Sequence, residues 1–164
     1  MLRINRDYQK VCLCGKGYMS RNDHLCGHCR TRKDKEALEK YCRTMPQRIV
    51  VFGGRDFTDI DRMEFVIRKL VEENFITDPC ELVCGMARGA DITAFRLFSE
   101  LGIRIHEFPA DWDRLGKRAG FVRNGEMAEF CTVGIGFWNG ISHGTKHMID
   151  TMDRAKKPCI VVRY

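Results

Sequence analysis

From Arg48 onward the chain alternates short β-branched apolar runs with longer stretches that are apolar at helical spacing. Arg48–Phe52 (RIVVF) is a run of this kind, and it stops at Gly53-Gly54. Asp59 can then cap a helix in which Ile60, Met63, Val66, Ile67, Leu70 and Val71 share one face. Glu81–Cys84 (ELVC) reads as the next strand and again ends on a glycine, Gly85. A helix follows with Ala90, Ala94, Leu97, Phe98 and Leu101 inward. Ile103–Phe108 is a third strand, 109–118 a polar loop, and 119–130 a helix. Thr132–Trp138 (TVGIGFW) is a fourth strand, Thr145–Ala155 a helix, and Cys159–Val162 a fifth strand. Apolar runs without alternation indicate strands buried on both faces. The order therefore predicts an α/β fold: a parallel sheet of about five strands with helices on both faces. Right-handed crossovers put the loops that follow the strands along one edge, where such folds bind ligands.

Four of those loops hold unusual residues. Gly53, Gly54, Arg55 and Asp56 combine a close backbone approach with a planar cation, just before a helix N-terminus. A plain turn would also use the two glycines. Gly85, Arg88, Gly89 and Asp91 repeat the theme at the next strand–helix junction; Asp91 could orient Arg88 or a ligand hydroxyl, or favour the helix start. The third loop contributes Trp112, Arg118, Gly120, Arg123 and Asn124. Trp112 reads equally as a stacking surface or a core residue. Arg123, near a helix start where acidic residues are preferred, suggests an anionic partner. The fourth loop offers Asn139, Gly140, Ser142, Gly144 and Thr145, small and hydroxyl residues suited to a phosphate. His147 reads as structural. Neither a Gly-x-Gly-x-x-Gly fingerprint nor a Walker A sequence occurs.

Taken together, GGRDF at 53–57, GMARGAD at 85–91, FPADWDRLGKRAGFVRNGEMAE at 108–129 and FWNGISHGTKHMID at 137–150 resemble the SLOG superfamily. Its members include the Lonely Guy phosphoribohydrolases and the DprA/Smf proteins, and the nearest likeness is to the YspA/cpYpsA-related branch. The resemblance implies a Rossmann-like domain over 47–164 that binds a nucleotide or nucleotide-derived ligand, and it implies a homo-oligomer. Lonely Guy enzymes carry Pro-Gly-Gly-x-Gly-Thr-x-x-Glu in the fourth loop. Here Gly144-Thr145 matches, but Met148 stands at the glutamate position. Glycosidic cleavage through an oxocarbenium-like state wants a carboxylate nearby. Asp91, Asp111, Asp113, Glu126 or Asp150 could supply one, and Arg123 and Asp91 are the candidate catalytic residues. Binding by sensing or sequestration is the first expectation. An N-glycosidase acting on nucleoside monophosphates is the second, and a DprA-like nucleic-acid binder the third.

The N-terminal part is different in kind. Cys12, Cys14, Cys26 and Cys29 form two close pairs with glycines beside them, a pattern suited to structural, tetrahedral Zn2+. The Cys-x-Cys half is shorter than usual, and His24 or His28 could replace one thiolate. A segment this small needs the metal to fold. Residues 1–30 thus read as a zinc-ribbon-like module, and 31–46 as a basic helical linker ended by Pro46. Of the chain's 28 Lys/Arg and 22 Asp/Glu, residues 1–45 hold 11 and 5, which leaves 17 of each for the remainder. The net charge of +6 therefore sits in the N-terminal segment, which suits a nucleic-acid partner or a basic surface that docks a protein. Nine cysteines, unevenly spread, argue against a secreted disulfide framework. No apolar run is long enough to cross a bilayer, and the start MLRINRDYQK has no signal-peptide core, so a cytoplasmic protein without a membrane partner is expected.

Overall fold

The computed structural model describes residues 45–164 and, before them, Glu36 alone. The zinc expectation for Cys12, Cys14, Cys26 and Cys29 lies outside the described residues, as does all of the linker before Met45 apart from Glu36. The elements run β1 Gln47–Gly53, α1 Ile60–Glu72, β2 Cys80–Cys84, α2 Ala90–Glu100, β3 Ile105–Glu107, α3 Trp112–Leu115, α4 Ala119–Phe130, β4 Val133–Trp138, α5 His143–Arg154 and β5 Cys159–Arg163. The strands form one sheet in the order β3-β2-β1-β4-β5. Every neighbouring pair is parallel. The expected α/β architecture is present.

The strand order explains both the two-sided burial and the location of the loops. The chain steps outward from β1 to β3, then returns across β1 to build β4 and β5 on the other side. Crossovers of one hand running in opposite directions put their helices on opposite faces. Ile49, Val51, Leu82, Ile135 and Phe137 accordingly pack with Met63, Ile67, Leu97 and Phe98 of α1 and α2. Val50, Phe52 and Val83 pack with Met127, Met148 and Met152 of α4 and α5 on the reverse face. The glycines of β4 belong to this second layer. A Cβ on Gly136 would meet the Phe52 ring at 2.8 Å, and one on Gly134 would meet Met152 Cε at 3.0 Å. The Val-Gly-Ile-Gly-Phe alternation therefore places large residues toward α1 and α2, and leaves the other face open for Phe52.

Several details depart from the sequence reading: β3 has three residues rather than six, and Leu101 and Val71, expected to face inward, are 60% and 49% exposed. The 109–118 stretch, read as loop, contains the single turn α3 and a 3-10 turn at Gly116–Arg118. Asp111 makes that turn: its carboxylate accepts from the Arg114 backbone N–H at 3.0 Å and from Arg114 Nε at 2.9 Å. Helix α5 begins at His143, two residues earlier than its apolar periodicity suggests, because Ser142 is the cap and accepts from the Thr145 N–H. Among the described residues no helix is long and apolar enough to cross a membrane.

Candidate functional site

The crevice sits where β1 and its neighbour β4 lead away in opposite directions, the switch point of such a sheet. Here the loops after β1, β2, β3 and β4 converge around a cavity of about 1220 Å³. The first two loops are locked to each other. The Gly54 N–H donates to Phe137 O at 3.1 Å, and Gly54 O accepts from the Ala90 N–H at 3.2 Å. Gly89 has φ +91 and lies so close that a Cβ there would be 2.6 Å from Arg55 Cα. This contact requires glycine, since the left-handed region and the missing side chain are both used.

The structure brings most of the expected ligand contacts to the cavity wall. Gly53, Arg55, Asp56, Gly85, Arg88, Asp91, Trp112, Gly120, Arg123, Asn124, Ser142, Gly144 and Thr145 all line it. Five do not, and each has a place elsewhere. Gly54 and Gly89 form the loop-to-loop contact behind the wall. Arg118 is exposed on the 3-10 turn. Asn139 spends its side chain on the protein: Oδ1 accepts from the N–H of Ile141 at 3.0 Å and of Ser142 at 2.9 Å, and Nδ2 donates to Asp56 Oδ2 at 3.3 Å. Gly140 turns the chain with φ +86 beside the Arg163 guanidinium.

The sequence reading missed several wall residues. Phe52 and Met148 line the cavity although both belong to the second core layer, so their apolar character gave no hint of a second role. Met86, Ala87, Pro109, Ala110, Lys117 and Phe121 complete it. Lys117 and Phe121 fall inside a loop already marked by its charge and glycine content, and that was the available signal.

The polar floor is a connected set built by α2, α4 and α5. Asp91 is 3% exposed. Burial pushes its carboxyl up to about 6, opposed by the Arg123 guanidinium and the Ala87 N–H. Arg123 Nη1 lies 4.0 Å from Asp91 Oδ2 and donates to Gly85 O at 2.6 Å. Arg123 Nη2 donates to Asn124 Oδ1 at 3.3 Å, while Nε is buried without a hydrogen-bond partner. Asn124 Nδ2 in turn donates to Gly144 O, at 3.3 Å, and lies 3.3 Å from His147 Nδ1. That contact uses Nδ1 as acceptor, and burial, the largest cause, lowers the His147 pKa in agreement with a neutral ring. At the opposite wall Tyr164 Oη donates to Asp56 Oδ1 at 2.7 Å. This bond holds the Asp56 carboxyl below its usual range, while burial, joined by the same bond, raises the Tyr164 phenol to about 12. Arg55, Arg88 and Lys117 are exposed at the rim. Such a wall can hold an anion against Arg123 and accept hydroxyls at Asp56.

Asp91 carries a checkable pH dependence. Its folded value of about 6 exceeds the ordinary 3.8, so the folded state binds the extra proton. Stability from this group is therefore greatest below about pH 4 and falls as pH rises toward 6. A two-unit shift corresponds to about 3 kcal/mol. Asp91→Asn keeps an acceptor but cannot titrate. Denaturant titrations from pH 4 to 7 should show a slope in the parent that is flattened in the variant. An equal slope in both proteins would rule out Asp91 as its source.

Among the described residues no group of three or more His, Cys, Asp or Glu is placed to hold a metal ion. No family model matches the chain. No curated protein matches it. Among solved structures the chain is similar to DNA processing protein A from Helicobacter pylori, with a TM-score of 0.52 and 17% identity over 76% of this chain and 68% of that one. The fold is Rossmann-like. At that identity the likeness speaks for the fold, and it agrees with the SLOG resemblance at that level. The H. pylori structure concerns that protein's single-stranded DNA binding mode.

Proposed function

We propose that the cavity binds a nucleotide or nucleotide-derived ligand by its phosphate, to sense or sequester it. The observation that carries this is the Arg123 guanidinium, set in the cavity wall with its side chain only 14% exposed and with Nε unpartnered. A cation in that position, with the one nearby carboxylate raised toward neutrality, is arranged to receive an anion. The first turn of α5 adds backbone N–H groups that have no partner within the helix. Binding is favoured over hydrolysis because Met148, at the position of the Lonely Guy glutamate, is 1% exposed and packs in the core layer with Phe52. Asp56 and Asp91 are the carboxyls in the cavity lining that a glycosidase could use. The loop motifs support placement in the YspA/cpYpsA-related branch.

Calorimetry against nucleoside monophosphates, cyclic dinucleotides, ADP-ribose and ribose 5-phosphate tests the reading. Saturable binding to at least one class, weakened by salt, is expected. Silence across the panel would end it, and release of free base would replace it with the glycosidase. A second reading, single-stranded nucleic acid, is favoured by the half-exposed Trp112 and by the structural neighbour. Oligonucleotide binding without mononucleotide binding would select it. For residues 12–29 we propose a structural zinc on the cysteine spacing. One equivalent of zinc in the purified protein, lost from Cys26→Ser, is the corresponding measurement.

A further inference from the structure

We infer that Trp112 is the base-stacking wall of this cavity, and that the base is chosen by the area of its aromatic face rather than by its hydrogen-bonding edge. This rests on the nucleotide reading above and goes beyond it to the substrate class: purine over pyrimidine, with adenine and guanine treated alike. Trp112 is 52% exposed and lies outside both core layers, yet it lines the cavity. It is also braced. Asp111 pins the turn that carries it through the Arg114 N–H and Nε. A Cβ on Gly120 would lie 3.6 Å from Trp112 Cη2, so the ring edge rests over a residue that has no side chain. Phe121, 48% exposed, adds a second ring to the wall and is held 4.4 Å from the His147 ring.

Gly120 borders the Trp112 ring, Ala110 O accepts from its backbone N–H, and Pro109 of the same loop also lines the cavity. None has a side-chain donor or acceptor, and Lys117 offers only a mobile point charge. Discrimination between base edges needs placed polar groups, whereas stacking accepts any π-face and grows with its area. Gly120, which borders the indole, and Arg123 lie three residues apart on α4, a rise of about 4.5 Å. Trp112 and Arg123 line the same cavity, so one ligand can present its phosphate to the guanidinium and its base to the indole.

The chain has two tryptophans, and Trp138 is partly buried with the Arg163 guanidinium 4.1 Å above its ring. Trp138→Phe therefore makes Trp112 the sole indole reporter in the full-length protein. The probes are the 5′-monophosphates of adenosine, guanosine, cytidine and uridine, with ribose 5-phosphate as the baseless control. Purine nucleotides should quench Trp112 and bind about tenfold tighter than pyrimidine ones, with adenine and guanine within about threefold of each other. Ribose 5-phosphate should bind without quenching. Trp112→Ala should remove the purine preference and leave ribose 5-phosphate binding as it was, while Trp112→Phe keeps most of the preference. Calorimetry on the unaltered chain gives the same ranking independently of the Trp138 substitution. Equal affinities for nucleotides and ribose 5-phosphate, or an unchanged preference in Trp112→Ala, would overturn the wall while leaving the phosphate site standing. Failure of all five probes to bind would overturn both.

Discussion

Arg123→Ala is expected to weaken binding of a nucleoside monophosphate by about 10- to 100-fold. Hydrogen bonds to charged groups are each worth about 1.5–3 kcal/mol, and this guanidinium is the cation nearest the cavity's buried carboxyl. Arg123→Lys should fall between the two, because it keeps the charge and loses the planar fork that matches a phosphate. The alanine variant also removes the counter-charge that restrains Asp91, so the Asp91 carboxyl should titrate higher still. Affinities should therefore be compared at two pH values, with the folded fraction checked by thermal denaturation. Calorimetry at low and moderate salt would show a steeper salt dependence for the parent than for the alanine variant. Unchanged affinity and salt dependence in Arg123→Ala would remove Arg123 from the site.

Gly89→Ala is expected to destabilise the domain by about 2–6 kcal/mol. Two costs combine. The backbone is held at φ +91, where an L side chain is strained by about 1–3 kcal/mol. The added methyl also meets the backbone of Gly54 and Arg55, which cannot give way as a flexible side chain would, for about another 1–3 kcal/mol. Gly125→Ala is the matched control. It lies within α4, a Cβ there meets nothing within 4 Å, and alanine in a helix interior gains about 0.5–1 kcal/mol over glycine. The same substitution should thus have opposite signs at two positions, read as opposite shifts in the denaturant midpoint. A Gly89→Ala protein as stable as its parent would mean that the loop-to-loop contact is not tight.

How much of this was readable beforehand differs by level. The β1 and β4 runs, apolar on both faces, and the α1 periodicity could be assigned from the sequence because a strand or helix signals its own burial through local spacing. The polar walls were also visible: they lie in the loops and first helical turns that follow the strands, Arg55 after β1, Asp91 after β2, Arg123 early in the helix after β3 and Thr145 after β4, where topology alone brings loops together. The α3 turn was missed because one helical turn is too short for a period, and only the Asp111 cap marks it.

What the sequence by itself determined is the order of strands and helices and the edge of the sheet where chemistry collects, since each follows from neighbours in the chain. Tertiary structure decided the rest. Gly54 and Gly89 became scaffold rather than wall because their partners are far along the chain and no local pattern reports such contacts, and Asn139 because its side chain is spent on its own turn and on the distant Asp56. Trp112, open in the sequence between core and surface, was settled by packing: both core layers close without it, and its ring is left bordering the cavity. Asp91 acquired its raised pKa in the same way, through burial that only the closed sheet provides.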